Sequence, residues 1–399
     1  MANSNKKSKN SNYLSARESR AISKANRKIT DEFEKAHKRK NIPESEYITS
    51  MHNPENVVEF DNLHTYFFTD TGTVKAVSGV SFDVPKGGIV GIVGESGCGK
   101  SVTSLSMMQL VQRPQGQMVE GEIRFNTGDK VYNIVKTPQS EMYNLRGNMI
   151  SMIFQEPMTS LNPVFRIGAQ IEEVIELHLE YSLTGEPIKE ENFGTKKEFK
   201  AALKHAVKTR TLEMLDLVGI ANSEGVYKMY PHELSGGMRQ RAMIAMALAC
   251  NPVLIVADEP TTALDVTIQA QILDILTELK DKINSSIMLI THDLGVIAGM
   301  VDYVVVMYAG RVVEKGTVYE IFANPSHPYT HGLMASRPGV NKVADRLYSI
   351  PGKVPNPIEM PDYCYFKDRC EKCIDKCDGT YPKEIKLTDT HYVSCYLYD

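Results

Sequence analysis

Apolar and polar residues follow two different periods along this 399-residue chain. Two segments alternate apolar and polar positions, as paired half-buried strands do: VVEFDNLHTYFF (57–68) and AVSGVSFDV (76–84). Nearly continuous apolar runs of strand length follow as GIVGIVG (88–94), MISMIF (149–154), PVLIVAD (252–258), SIMLIT (286–291) and YVVVMYAG (303–310). Helical periodicity covers 100–112, 166–180, 197–218, 236–250 and 266–284. This alternation predicts an α/β fold with a mostly parallel sheet that helices cover.

Changes in this pattern divide the chain into three regions. Residues 56–325 hold the strands and helices of a main domain, in which 156–248 is almost entirely helical and is expected to be an inserted subdomain. Prolines become frequent after residue 325, which predicts a loop-rich C-terminal domain over 326–399. Residues 1–55 are expected to form a basic N-terminal extension and a linker.

The N-terminal extension differs in charge from the rest of the chain. Residues 1–40 carry 12 Lys and Arg and 4 Asp and Glu, although the formal net charge of the whole chain is −4. Apolar residues at roughly helical spacing over 13–40 would permit a basic amphipathic helix, but we expect a solvated or partly disordered tail. No apolar run approaches the roughly 18 residues of a membrane-spanning helix, and no secretory signal is evident, so we expect a cytoplasmic protein.

A glycine-rich loop follows one of the apolar strands and opens a helix. The sequence GESGCGKS matches the phosphate-binding pattern G-x-x-x-x-G-K-[ST] in the strand and helix context that the pattern requires. Glycines allow the backbone to wrap phosphates, a lysine neutralises the outer ones, and a serine hydroxyl can bind Mg²⁺. The residues expected to bind a nucleotide here are Gly94, Glu95, Ser96, Gly97, Cys98, Gly99, Lys100 and Ser101.

Polar side chains end three of the other apolar strands. Asp258 and Glu259 close PVLIVAD, Gln155 follows MISMIF, and His292 follows SIMLIT. A buried carboxylate needs compensation, so we expect Asp258 to bind Mg²⁺ through water. Glu259, one position further along the pleat, suits a general base that activates water. Gln155 and His292 are expected on strands next to the phosphate-loop strand, where both could reach the γ-phosphate.

A second glycine turn, ELSGGMRQR (233–241), also begins a helix. Together with GESGCGKS, Gln155, LIVADEP, ALD (263–265) and THD (291–293), in this order, it resembles the complete motif set of an ABC-type ATPase over roughly residues 57–325. The resemblance implies a P-loop NTPase cassette with an antiparallel β subdomain and an inserted helical subdomain. It also implies ATP and Mg²⁺ as cofactors and ATP hydrolysis as the reaction.

The resemblance assigns further roles to residues of this chain. Ser235, Gly236 and Gly237 would grip the γ-phosphate of ATP held by a second cassette. Asp265 would couple the two sites, His292 would contact the γ-phosphate, and Gln155 would join Ser101 and Asp258 around Mg²⁺. An aromatic residue of the first strand would stack on adenine; counting in twos from Leu63 selects Phe67, with Tyr66 and Phe68 as alternatives.

Longer segments narrow the resemblance to one subgroup. FQEPMTSLNPVFRIGAQI, the long segment around LSGG, and IFANPSHPYTHGLMASRPG are similar to the ATP-binding subunits of bacterial oligopeptide, dipeptide and nickel importers. This subgroup implies a second, related ATPase chain, two membrane permease subunits, indirect action with an extracellular binding protein, and a place at the cytoplasmic face of the membrane. The alternative is a soluble ABC protein that acts on ribosomes or DNA. Such proteins usually have two cassettes in one chain or a long coiled-coil insertion. The sequence shows neither, so we expect no nucleic acid partner.

Five cysteines follow residue 363, and in a cytosolic chain such a group favours a metal site over disulfides. Four of them follow the cysteine pattern of the importer subgroup: Cys364, Cys370, Cys377 and Cys395. Cys373 is additional. Four thiolates can bind Zn²⁺ or an iron–sulfur cluster, and the wide spacings favour a [4Fe–4S] cluster over zinc. Reduced structural thiols are the alternative.

Overall fold

The computed structural model describes residues 14–178, 194–262, 264–336 and 348–399. Two sheets form in this part of the chain, with the strand orders β2-β1-β4-β5 and β11-β12-β10-β9-β3-β8-β7-β6. The strands are β1 Asn56–Phe68, β2 Thr73–Pro85, β3 Ile89–Val93, β4 Gly116–Asn126, β5 Val131–Asn133, β6 Ile150–Ile153, β7 Leu254–Asp258, β8 Ser286–Thr291, β9 Tyr303–Tyr308, β10 Arg311–Thr317, β11 Ile385–Lys386 and β12 Tyr392–Val393.

The larger sheet has a parallel centre, as the apolar runs predict. Strands β9, β3, β8, β7 and β6 pair in parallel, and all five predicted apolar runs are among them. Every residue of β3, β7 and β8 is buried, because helices cover one face of the sheet and the smaller sheet packs on the other. The carboxyl ends of these strands therefore meet at one edge, where the predicted site residues lie.

The smaller sheet is antiparallel. The predicted pairing of β1 with β2 is confirmed, with Phe60 opposite Phe82 in register. Strands β4 and β5 complete the sheet. Gly121 of β4 has a positive φ of 89°, and an added Cβ would lie 2.2 Å from the Asn62 carbonyl oxygen. This close approach occurs at a register irregularity between β1 and β4.

Helices pack on the larger sheet and make up most of the described part of the predicted helical insertion. The helix bounds are α1 Ala16–His37, α2 Lys100–Met107, α3 Gln139–Leu145, α4 Pro157–Ser160, α5 Ile167–Leu177, α6 Lys196–Leu217, α7 Ser223–Lys228, α8 Gly236–Leu248, α9 Val266–Ile283, α10 Leu294–Ile297, α11 Val318–Ala323 and α12 Pro328–Ala335. Ile167, Ile171 and Ile175 bury one face of α5, at the i, i+4 spacing of a core-facing helix. The end of the predicted helix 166–180 lies outside the described residues. None of the helices described here is both long and apolar enough to cross a membrane.

The N-terminal extension contains a helix, so the expectation of a disordered tail is wrong for its described part. Ser15 and Glu18 form a capping box at the start of α1. Asn26 Nδ2 then donates a 2.7 Å hydrogen bond to the Thr69 carbonyl oxygen, and Glu34 accepts one from Gln117 Nε2. These long-range contacts fix the helix against the β1–β2 connection and β4.

The C-terminal region continues the larger sheet. Strand β12 pairs with β10, and the Ser394 N–H donates to the Val313 carbonyl oxygen. Glu314 of β10 is fully buried, and its carboxylate accepts hydrogen bonds from the backbone N–H groups of Ser326 and His327 and contacts His391 Nε2 at 2.8 Å. The region predicted as a separate domain therefore shares a sheet and a buried polar network with the main domain.

Candidate nucleotide-binding site

The glycine-rich loop connects β3 to α2 in a conformation that requires glycine. Gly94 has a φ of 153° and Gly99 a φ of 100°. A Cβ would lie 2.2 Å from the Met307 carbonyl oxygen at Gly94 and 2.4 Å from the Ala76 carbonyl oxygen at Gly99. The loop therefore packs directly on neighbouring backbone, and Gly97, with a φ of 80°, completes its curve.

Lys100 lies inside this curve and is almost fully buried. Its Nζ donates to the carbonyl oxygens of Gly94 at 2.7 Å and Glu95 at 3.2 Å. Cys98 is buried beside it, and burial raises the pKa of the Cys98 thiol. A lysine held by the backbone of a glycine-rich loop at a helix N-terminus is arranged to meet an anion there.

Asp258 ends β7 beside the start of α2. Its Oδ1 accepts a 3.1 Å hydrogen bond from Ser101 Oγ, and its Oδ2 accepts a 3.3 Å bond from Ser104 Oγ. Burial raises the pKa of the Asp258 carboxyl. A hydroxyl and a carboxylate are oxygen donors of the kind that Mg²⁺ prefers, so these residues fit that ion. Ser104 lies outside the phosphate-binding pattern, which ends at Ser101, so the sequence does not identify it as a site residue.

Glu259 follows Asp258 but leaves the strand geometry, with a positive φ of 47°. Its carboxylate accepts hydrogen bonds from Gln155 Nε2 at 2.9 Å and Thr262 Oγ1 at 3.0 Å. His292 Nδ1 lies 3.2 Å from the other oxygen, Oε1. The structure thus brings Gln155, Glu259 and His292 together, and it adds Thr262, which sequence reasoning missed.

The expected strand neighbours of the glycine-rich loop are only half right. Strand β8, which precedes His292, does pair with β3. Strand β6, which precedes Gln155, does not, because β8 and β7 lie between them. Gln155 approaches the site because its side chain reaches across to Glu259 at the end of β7.

The second glycine turn lies at the start of α8. Ser235 caps this helix by accepting from the Met238 N–H at 3.4 Å, and Ser235 and Gly236 are exposed. A Cβ added at Gly237 would lie 3.1 Å from Ile268 of α9. Asp265 caps α9 by accepting from the Ile268 N–H at 3.0 Å. The turn and Asp265 thus form one surface at the N-terminal ends of two helices.

The aromatic residues of β1 make contacts within the protein. Phe67 packs on Gly116, whose added Cβ would lie 2.8 Å from Phe67 Cε1. The Tyr66 hydroxyl lies 2.9 Å from His64 Nδ1, and Phe68 is buried. The stacking of Phe67 on adenine stays a prediction.

The C-terminal cysteines lie close together as free thiols. Cys364 donates its N–H to the Cys377 carbonyl oxygen, and burial, helped by nearby thiols, raises the pKa of the Cys364 thiol to about 12. Burial also raises the pKa of Cys370 and Cys395. Within the described ranges, no group of three His, Cys, Asp or Glu side chains is placed as a metal site. In this part of the chain the thiols are therefore close together but are not arranged as ligands of the predicted iron–sulfur or zinc centre.

Two C-terminal residues that sequence reasoning missed contact the glycine-rich loop. The Glu95 N–H donates to the Tyr329 hydroxyl at 2.8 Å. Arg369 donates two hydrogen bonds to the Glu95 carboxylate, at 2.6 and 3.0 Å. No local pattern in the sequence marks such distant partners, which lie 234 and 274 positions from Glu95.

Comparisons with known proteins agree with this architecture. A family model described as "ABC transporter" matches residues 77–262, and one described as "Oligopeptide/dipeptide transporter, C-terminal region" matches 313–377. The oligopeptide transport ATP-binding protein AppD of Bacillus subtilis is 46% identical over 343 residues, covering 86% of this chain and 97% of AppD. The dipeptide transport ATP-binding protein DppD of Lactococcus lactis is 47% identical over 345 residues, covering 86% and 92%.

Solved structures show the same fold. A dimeric bacterial ABC transporter cassette is 25% identical and superposes with a TM-score of 0.52, covering 65% of this chain and 98% of the cassette. A cassette in a post-hydrolysis state bound to ADP and phosphate is also 25% identical, with a TM-score of 0.51 and the same coverage. The chain therefore belongs to the ATP-binding proteins of ABC transporters, in the group that carries the oligopeptide/dipeptide transporter C-terminal region.

Proposed function

We propose that this chain is the ATP-hydrolysing subunit of an importer for oligopeptides or dipeptides. The observation that carries the proposal is the arrangement at the ends of β3, β7 and β8. There a buried lysine, a serine–aspartate pair and a fixed glutamate surround the start of α2. Relatives that are 46% and 47% identical are oligopeptide and dipeptide transport ATP-binding proteins, which supports the substrate class.

The glycine-rich loop is proposed to hold the phosphates of ATP. Backbone N–H groups of the loop other than those of Glu95 and Cys98, with the start of α2, present donors and the positive end of the helix dipole to an anion. Lys100 neutralises the outer phosphates. Ser101, Asp258 and Gln155 would hold Mg²⁺, which neutralises charge that develops on the phosphates.

Glu259 is proposed as the general base that accepts a proton from the attacking water. Gln155 and Thr262 hold one carboxylate oxygen, and His292 lies beside the other. These contacts fix the direction of the carboxylate, which is a requirement for a base that must meet a water in line with the γ-phosphate. His292, whose side chain is 57% exposed, remains accessible to that phosphate.

The site is proposed to be completed by a second cassette. The exposed turn Ser235, Gly236 and Gly237 would bind the γ-phosphate of the partner's ATP, and Asp265 beside it would couple the two sites. An exposed helix N-terminus with a serine cap supports this role, because it offers free N–H donors to an anion from outside the chain. The partner is proposed to be a related but different ATPase chain.

The helical insertion, about residues 156–248, is proposed to contact the membrane permeases. Three large apolar residues near the start of the insertion are exposed: Phe154, Val164 and Phe165. Exposed apolar residues next to Gln155 would connect a permease helix to the carboxylate at the γ-phosphate. Two permease subunits, an extracellular binding protein acting through them, and attachment at the cytoplasmic face of the membrane complete the proposal.

We further propose that the C-terminal region holds a metal centre, an iron–sulfur cluster or zinc, at Cys364, Cys370, Cys377 and Cys395. The proximity of the four thiols supports it, whereas their placement, which does not form a ligand group, counts against it. Iron, sulfide and zinc analysis of anaerobically purified protein tests it. Four iron and four sulfide per chain is the expected result, and protein free of iron and zinc contradicts it.

Uptake and co-purification test the function as a whole. Cells that lack this chain should lose uptake of labelled dipeptides or oligopeptides, and the intact chain, but not its Lys100→Ala variant, should restore it. Affinity purification from detergent-solubilised native membranes should yield two permeases and a second ATPase. Retained peptide uptake with lost nickel uptake would instead identify a nickel importer, and copurification with ribosomes alone would overturn the transport function.

A further inference from the structure

Glu95 is the residue through which the glycine-rich loop contacts the C-terminal region. Its N–H donates to Tyr329, and its carboxylate accepts both bonds from Arg369. Its carbonyl oxygen accepts from Lys100 Nζ at 3.2 Å and from the Cys98 N–H at 3.3 Å. Every hydrogen-bonding group of Glu95 is therefore engaged, inside the loop on one side and with the C-terminal region on the other.

Arg369 is held rigidly where it meets Glu95. All five of its N–H donors have acceptors. Besides the two bonds to Glu95, Nε donates to the Pro351 carbonyl oxygen, one terminal nitrogen to the Ile350 carbonyl oxygen, and the other to the Tyr308 hydroxyl. Its side chain is 4% exposed, and that of Glu95 is 30% exposed. A fully satisfied guanidinium of this kind fixes the orientation of the carboxylate that it contacts.

Tyr329 makes the second attachment from the same direction. The residue is fully buried, and its ring packs on Tyr308 at 4.7 Å and on Phe366 at 5.4 Å between ring centres. Phe366 lies three positions before Arg369, so the aromatic cluster and the guanidinium form one unit. The loop thus rests on a rigid support that Tyr329, Phe366 and Arg369 supply.

We propose that Arg369 is a positioning residue of the nucleotide site, which with Tyr329 holds the glycine-rich loop, through Glu95, in the conformation that binds ATP. This inference rests on the proposed function and adds a role for the C-terminal region in nucleotide affinity. A loop that is held in its binding conformation binds ATP more tightly. The apparent dissociation constant for ATP rises as the fraction of molecules with the loop in that conformation falls.

Titration calorimetry of ATP binding to the full-length chain tests the proposal. Arg369→Gln removes the paired hydrogen bonds from the guanidinium to Glu95. It should weaken ATP binding about tenfold, which is the effect expected if the loop is in its binding conformation in about one tenth of the molecules. Glu95→Gln removes the carboxylate from the other side and should have a similar effect. Both substitutions break the same interaction. The double variant should therefore bind ATP at least as tightly as the single variant that has the lower ATP affinity. Lys386→Gln, which removes one positive charge from a solvent-exposed pair in the C-terminal region, is the matched control and should bind as the original chain does.

Calorimetry separates positioning from simple loss of structure. A merely structural role lowers the melting temperature and the number of sites, but leaves the dissociation constant of the folded fraction unchanged. A dissociation constant within about twofold of the original chain for Arg369→Gln, or effects that multiply in the double variant, would overturn the proposal. If Arg369→Gln fails to fold, ATP binding by Glu95→Gln tests the proposal by itself. Glu95 is partly exposed, so its substitution is tolerated more easily by the fold. An original chain that binds no ATP would instead overturn the proposed function.

Discussion

Glu259 adopts a left-handed backbone conformation at the end of β7. The sequence shows only that a glutamate follows Asp258 and does not indicate this conformation. Alternation along a strand would place its side chain opposite that of Asp258. The positive φ instead directs the carboxylate to Gln155, Thr262 and His292. A non-glycine residue in this conformation is costly and is often found at functional sites, which agrees with the role of a base.

Substitution of Glu259 by Gln keeps the size and the hydrogen-bonding capacity of the side chain but removes its basicity. We expect ATP hydrolysis by the assembled transporter to fall by about 100-fold or more, while ATP binding persists, because a general base contributes that much to the rate. Phosphate release and nucleotide retention measure the two effects. Glu278→Gln on the exposed side of α9 is the control and should leave both unchanged. Hydrolysis undiminished in Glu259→Gln would show that another group accepts the proton.

Motif residues of the site are predictable from sequence, whereas their supporting residues are not. Lys100, Ser101 and Asp258 occupy motif positions, so spacing alone identifies them. Ser104 and Arg369 act through partners 154 and 274 positions away, and no periodicity of either local segment indicates those contacts. Only the tertiary fold brings such residues together.

At the scale of elements, the start of α8 is the feature on which the two-cassette proposal depends. Ser235→Arg would place a cation and a long side chain over the N–H groups of this helix. We expect hydrolysis at the partner's site to be lost, while ATP binding by this chain's own loop is retained. Ser15→Arg at the exposed cap of α1 is a matched control, since the Ser15 hydroxyl, like that of Ser235, accepts from the N–H three residues further on. Loss of ATP binding by the isolated Ser235→Arg chain would contradict assignment of the turn to the partner's nucleotide.

The start of α12 gives a pH dependence. Burial lowers the pKa of His327 from 6.5 to about 3, and its Nδ1 accepts from the Tyr329 N–H, which requires the neutral ring. The unfolded chain binds this proton below about pH 6.5 and the folded chain does not, so stability is present above that pH and is lost as the pH falls. The expected slope is about 1.4 kcal/mol per pH unit at most.

Denaturant unfolding between pH 7 and pH 4.5 measures this slope. His327→Asn should reduce this slope, because asparagine can cap the helix without titrating; the remainder belongs to other, partly buried histidines such as His37, whose pKa burial lowers to about 4. His205→Asn on the exposed face of α6 is the control and should keep the slope of the original chain. An unaltered slope in His327→Asn would assign the acid sensitivity to other groups.

Elements with a strong period are found from sequence, and those stabilised by tertiary contacts are not. All seven predicted strands form. The sequence pattern does not predict β4, because GQMVEGEIRFN lacks a regular alternation and is stabilised by pairing with β1. The sequence of helix α1 favours a solvated tail, because its polar surface offers little apolar area; its capping box and the contacts of Asn26 and Glu34 compensate.

At the scale of the whole molecule, the two ends of the chain are attached to the core in different ways. Helix α1 contacts the smaller sheet through a few partly exposed hydrogen bonds. The C-terminal region instead supplies two strands of the larger sheet, three partners of the buried Glu314, and the support of the glycine-rich loop. A chain that loses its C-terminal region therefore loses part of its core, whereas loss of the N-terminal helix removes a peripheral element.

Truncation at each end separates these cases. A chain that ends at residue 325 loses the strands that extend the larger sheet, the hydrogen-bond partners that cover Glu314, and large core residues such as Tyr329 and Phe366. We expect its melting temperature to fall by about 10 °C or more, if it folds at all. Deletion of residues 1–40 should lower the melting temperature by only about 2–4 °C and should leave ATP binding intact. Calorimetric melting of both truncated chains beside the full chain gives the comparison. A chain ending at 325 that melts with the full chain would establish the C-terminal region as an independent domain, because its contacts with β10 would then add nothing to the stability of the ATPase core.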